Sequence, residues 1–127
     1  MKSRYKIASA VIASFVMAAG AVSVLHAQAK RPAYVLAEID VKDQDGYTRE
    51  FVPKAQANIK EMGGKYLAGG APVTWSGAKP ANRIVLLQFP DVDALKAFSD
   101  KQQRLESELG NKYASFRAIG VEGIEQK

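Results

Sequence analysis

The sequence predicts a ferredoxin-like α+β sandwich of order βαββαβ, a four-stranded antiparallel sheet with two helices on one face. Three observations lead there. Segments between residues 33 and 122 read as four strands, by alternation or by continuous apolar character. Two amphipathic segments of helical period separate them in the required order. Aspartates and glycines mark where those helices start and stop.

Residues 1–29 lie outside this pattern and have the three parts of a secretory signal. Lys2, Arg4 and Lys6 are basic, residues 7–25 carry no charge, and Ala27 and Ala29 form an A-x-A site. Cleavage after Ala27 or after Ala29 fits, and the expected destination is the periplasm or the medium. Left uncleaved, such an apolar run is long enough to span a bilayer. Ala, Gly and Ser dilute it, however, and the cleavage site follows directly. That uncleaved segment would be the one route to a membrane.

The remaining residues, 30–127, are expected to form one domain. Removing Lys2, Arg4 and Lys6 from the 18 Lys and Arg leaves 15 against 13 Asp and Glu, a net charge of +2 instead of +5. With no basic cluster longer than Lys30-Arg31, the domain has no footprint for nucleic acid. Cysteine is absent and the one histidine, His26, sits in the cleavage region. A packed core has to hold the domain together without disulfides.

From Ala33 to Lys42 the chain alternates as a strand. Val35, Ala37, Ile39 and Val41 share one face; Tyr34, Leu36, Glu38 and Asp40 share the other. Turn and capping residues at 43–46 lead into a helix reaching Met62, with Tyr47, Phe51, Ala55, Ile59 and Met62 as its stripe. Pro53 lies inside that stripe and is expected to kink or split the helix, because it lacks an N–H. Gly63-Gly64 end it.

Lys65 to Ala68 and Pro72 to Ser76 read as one irregular strand, bulged or bent at Gly69-Gly70, followed by a loop at 77–81. Asn82 to Phe89 is a nearly continuous apolar strand, expected to be buried on both faces. Asp91 caps a second helix whose inner face is Val92, Leu95, Phe98, Gln102, Leu105 and Leu109, ending at Gly110. The charged run from Lys101 to Glu108 reads as its solvated face. Tyr113 to Glu122 alternates as the last strand. Two helices cover one face of such a sheet, which leaves Tyr34, Leu36 and alternate residues of 84–87 facing outward. An open apolar face of that size is an association site, and a homodimer with facing sheets is the expected solution.

The segments AYVLAEIDVKDQDGY, GGKYLAGG, RIVLLQFPDVDALKAF and KYASFRAIGVEG, in this order and spacing, resemble the bacterial "domain of unknown function 1330" family over residues 34–123. The resemblance implies a dimeric α/β-barrel, in line with the fold and dimer argued above, and no assigned activity. Relatives of that barrel fold include cofactor-independent monooxygenases, small isomerases and haem enzymes, and fold analogy does not choose among them. Where the family often reads YLARGG or YLVRGG, this chain has Tyr66-Leu67-Ala68-Gly69-Gly70, so Gly69 occupies the Arg position.

Without Cys or a useful His, residues 30–127 lack the usual nucleophile–base pairs and most zinc or haem ligation, and no cofactor or metal is expected. GGKYLAGG matches no phosphate-binding pattern and precedes a strand, not a helix. The catalytic candidates are Glu38, Asp40 and Arg117. A carboxylate desolvated between two sheets would serve as a general acid or base, and Arg117 would neutralise it or hold an anion. The plainer reading is a hydrated rim with Glu38 paired to Arg117 or Arg83. Tyr34, Leu36, Tyr66, Trp75 and Gln88 are the candidate ligand-binding residues, with ordinary core or dimer contact as the alternative. The leading expectation is a homodimer that binds a small, mainly apolar organic molecule in its inter-sheet cavity. The rival is a cofactor-independent isomerase or monooxygenase with a carboxylate base, and the third is a purely structural dimer.

Overall fold

Alternation at the start of the domain produces β1 (Ala33–Val41), with Val35 and Ile39 buried on one side and Leu36 and Asp40 exposed on the other. A computed structural model describes residues 31–125; the signal segment expected at 1–29 lies outside the described residues. Three further strands, β2 (Lys65–Gly70), β3 (Arg83–Phe89) and β4 (Ala114–Glu122), complete one sheet of order β2-β3-β1-β4 with every neighbour antiparallel. This is the ferredoxin-like α+β order that the sequence predicts.

The first helix, α1, covers residues 44–61 in three parts. A turn at Gln44–Gly46 is capped by the Asp43 side chain, which accepts from the Gly46 N–H. A π-helical stretch follows at Tyr47–Phe51, and regular α-helix runs over Val52–Glu61. The change falls at Pro53, whose missing N–H and bulky ring disfavour an interior α-helical turn. The chain widens upstream, where the Val52 N–H donates to the Tyr47 carbonyl five residues back. The expected split is thus a change of hydrogen-bond period within a continuous helix. A spacing of four overshoots a straight α-helix by about 40° per step. The wider π turn offsets this, so Tyr47, Phe51, Ala55 and Ile59 all reach the sheet.

At the end of α1 the Gly64 N–H bonds the Ile59 carbonyl at 2.8 Å, with Gly63 at φ +75°. That left-handed residue is why glycine is needed there. In β2, Tyr66 pairs with Leu87 and Ala68 with Leu86, so Leu67 is the extra residue of a β-bulge. The strand ends at Gly70. Residues 72–76, expected to continue it, are irregular and carry no ladder, since the chain leaves the sheet edge after Gly70.

The second helix, α2 (Val92–Glu108), starts where the Asp91 carboxylate accepts from the Ala94 N–H at 2.8 Å. Gly110 does not terminate it through a positive φ. It lies in a short 3-10 turn (Gly110–Lys112), where a Cβ would sit 2.7 Å from Phe51 and 2.9 Å from Phe116. Close packing is its reason. Both helices pack on the face of β1 that carries Val35 and Ile39. Phe51 meets Tyr47 and Phe116, and Phe89 meets Phe98, with centroids 4.7–5.4 Å apart. Burying an aromatic side chain of this size contributes about 1.5–3 kcal/mol, so these rings anchor the layer.

Candidate functional site

Strand register sorts the residues nominated from sequence. Tyr34 stands opposite Gln88 and Val121, Leu36 opposite Leu86 and Ile119, Glu38 opposite Ile84 and Arg117, and Asp40 opposite Ser115. Tyr34, Leu36, Glu38, Asp40, Gln88 and Arg117 therefore share the face away from the helices, as period two requires. Leu36 is 38% exposed, Ile119 65% and Val121 62%, which leaves this face open in the single chain.

At its charged end the Arg117 Nε and Nη2 both donate to Glu38 Oε2, at 3.0 and 2.7 Å. Asp40 accepts from the Asn82 N–H at 3.0 Å, and the Asn82 side chain bonds both the N–H and the carbonyl of Val41. Asp40 is thus the tether that brings the 71–82 loop back to the sheet. A shallow groove of about 270 Å³ runs between these groups and Lys79.

Two nominated residues are elsewhere. Tyr66 pairs with Leu87 before the bulge and so faces the helices. Trp75 is 96% exposed in the loop after β2, and no sheet positions it. Gly69 pairs with Val85, which puts the expected Arg position on the helix side as well.

On that side the chain forms a partly open cavity of about 60 Å³, room for a few waters. Its walls are largely apolar, with Val35, Phe51, Leu87 and Phe98 among them. Four polar side chains enter this setting: Tyr47 from α1, Tyr66 from β2, and Gln102 and Glu106 from α2. A wider groove of about 330 Å³ between α2 and β4 shares Phe98, Gln102, Glu106 and Phe116 with it, so the enclosed space has an opening.

Burial pushes the Glu106 carboxyl above the ordinary glutamate value. Burial also pushes the Tyr47 phenol up. The positive charge of Arg83, whose guanidinium carbon is 5.9 Å from the ring centroid, pulls part of that back, and the Glu106 charge raises it again. Tyr66 is raised by burial and then by Tyr47, with Arg83 opposing. Tyr47 thus feels both Arg83 and Glu106, and Tyr66 feels Tyr47 and Arg83. No group of three or more metal-ligating side chains occurs among the described residues.

Residues 32–123 match the family described as "Domain of unknown function (DUF1330)". The chain belongs to that family. Among solved structures, the methylated RPA0582 protein is similar at a TM-score of 0.57 and 14% identity, covering 76% of this chain and 83% of that one. A second RPA0582 structure, described as a protein of unknown function from Rhodopseudomonas palustris, gives 0.50 at 16% identity, covering 76% and 85%. The de novo designed protein Foldit4 gives 0.51 at 10% identity, covering 73% of this chain and 99% of its own. At these identities the likeness extends to the fold alone. No curated protein sequence matches the chain.

For this DUF1330 domain, sequence reasoning nominated Tyr66 and turned Tyr47 and Gln102 inward but missed Glu106, which lies within the charged run 101–108. The signal was present in the spacing Phe98, Gln102, Glu106, which puts all three on one flank of α2.

Proposed function

We propose that this DUF1330 protein is an exported homodimer that binds a small, mainly apolar organic molecule. The observation that carries the binding is the helix-side cavity, apolar through most of its wall yet entered by Tyr47, Tyr66, Gln102 and Glu106. Ligand sites have this composition: a hydrophobic lining with a few polar groups that fix orientation. The site needs no second chain to enclose it, which favours it over the inter-sheet space.

The dimer reading rests on the opposite face. Leu36, Leu86, Ile119 and Val121 adjoin one another by register and leave an apolar patch that the described residues do not cover. There Glu38 is held by Arg117, which favours a structural pair at the rim over a free catalytic base.

Native mass spectrometry of protein purified from its own periplasm tests the parts together. The expected species has twice the mass of a chain starting at Gln28 or Lys30, plus a retained small molecule. A bare monomer that still carries residues 1–27 would overturn the proposal.

A further inference from the structure

The strand β4 and the segment that follows β2 each lack a partner among the described residues. Within the sheet β4 borders only β1, so its outer backbone groups make no ladder. Its nine residues pair with β1 without interruption and include no proline, lysine or bulge. The other edge, β2, carries Lys65 and the bulge at Leu67. Sheets guard exposed edges with such devices, and a long edge without them is a pairing surface. Beside the β4 edge runs the groove of about 330 Å³ under α2, within the size range of pockets that seat organic groups. Leu95, Phe98 and Phe116 line it, and Ala118 and Gly120 are exposed along it.

Residues 72–76 have the complementary shortfall. Val73, Thr74 and Trp75 are strand formers, yet the segment makes no ladder. In an extended chain Val73 and Trp75 fall on one side, and they are 95% and 96% exposed. We infer that residues 72–76 of a second copy of this chain add as a fifth strand to the free edge of β4. Val73 and Trp75 then sit in the groove between α2 and β4, and the exchange is reciprocal. The inference rests on the homodimer proposed above and adds the segment that passes between the copies.

Reach excludes the chain's own segment. The edges β2 and β4 are three strand spacings apart and a docked strand lies one further out, about 19 Å in all. Val73 is three residues past Gly70 and extends at most about 11 Å from it. Facing sheets stack about 10 Å apart, and a two-fold axis along the strands sets β2 of one copy over β4 of the other. The partner's groove is within range. Charge agrees with this occupant. Lys79 is the one charged residue of loop 71–82, and Glu106 is the one charged residue lining the groove. No ion pair among the described residues engages either. Arg117 of β4 is held by Glu38 on the other face and does not oppose Lys79.

Trp75 is the single tryptophan of the sequence, so its fluorescence reads the docking directly. In protein purified from the periplasm its emission should be blue-shifted. On dilution it should move to the red at the concentration where sedimentation shows the dimer dissociating. Ala118→Arg plugs the groove from an exposed position and should keep the fold by circular dichroism. It should hold the emission at its solvent-exposed value and weaken association about 10-fold. Mixing it with Trp75→Ala, which lacks the ring but keeps an open groove, should restore the blue shift, because the intact donor then meets the intact acceptor. A dimer whose Trp75 stays solvent-exposed, or a mixture that stays red, would overturn the exchange and leave the facing-sheet dimer in place. A monomer at every concentration would overturn the dimer and the exchange together.

Discussion

The two faces of this sheet are made from the same strands, residue by alternate residue, yet they end in opposite conditions. Toward the helices, Val35, Ile39, Val85 and Leu87 are buried beneath two helices that contribute Tyr47, Phe51 and Phe98. Away from them, Leu36, Ile119 and Val121 meet solvent. One face is completed by the chain's own second layer, and the other is apolar and left open by the described residues. Local sequence pattern fixes both compositions equally. What differs is the number of helices available, and two suffice for one face only. The proposed binding is assigned to the face that the helices cover, and the proposed association to the face they leave open.

Substitutions on either side sharpen that contrast. The largest effect is expected from Phe51→Ala, which removes a ring 1% exposed and packed against Tyr47, Phe116 and Gly110. The loss should be about 3–5 kcal/mol of folding stability, read by urea denaturation. Less than about 1 kcal/mol would mean that the helix-side layer is not the main core. Leu36→Asp on the open face comes next. It should change the stability of an isolated chain by no more than about 0.5 kcal/mol but weaken the dimer by at least about 10-fold in sedimentation equilibrium. Unchanged association would break the assignment of that face to a second copy.

The smallest effect is expected from Glu38→Gln. Arg117 is 74% exposed at the side chain, and an ion pair of that kind contributes roughly 0–1 kcal/mol. A loss well above this range would show that the pair is covered in solution, as a facing sheet would cover it. Each result bears on one face and leaves the other as a control.

Much of the fold could be read from the sequence because its signals are local. The alternation in 33–42, the Asp91 cap and the Gly63-Gly64 ending each depend on a few neighbouring residues. Two misreadings concern β2 and the chain after it. Tyr66 pairs with Leu87 before the bulge at Leu67, which sets it on the helix side, away from the face of Tyr34. The departure of the chain after Gly70 leaves Trp75 without a strand to hold it.

The open-face set was assembled correctly because Tyr34, Leu36, Glu38 and Asp40 lie on one strand, and Gln88 and Arg117 pair across to it. The helix-side site was less legible. It draws Tyr47, Tyr66, and Gln102 with Glu106 from three separate elements, and their convergence depends on packing that no local period encodes. Glu106 was further masked by the charges around it in the sequence.

The strand order also governs when the domain can fold. The first strand, β1, takes the last, β4, as one of its two partners, and Val35 lies opposite Gly120. A chain emerging from its N-terminus exposes an unsatisfied edge of β1 until nearly the whole sequence has appeared. Contacts that distant in sequence also form slowly, because the intervening chain must be closed first. The sheet therefore closes only when the two ends of the domain meet, and its central strand is completed last.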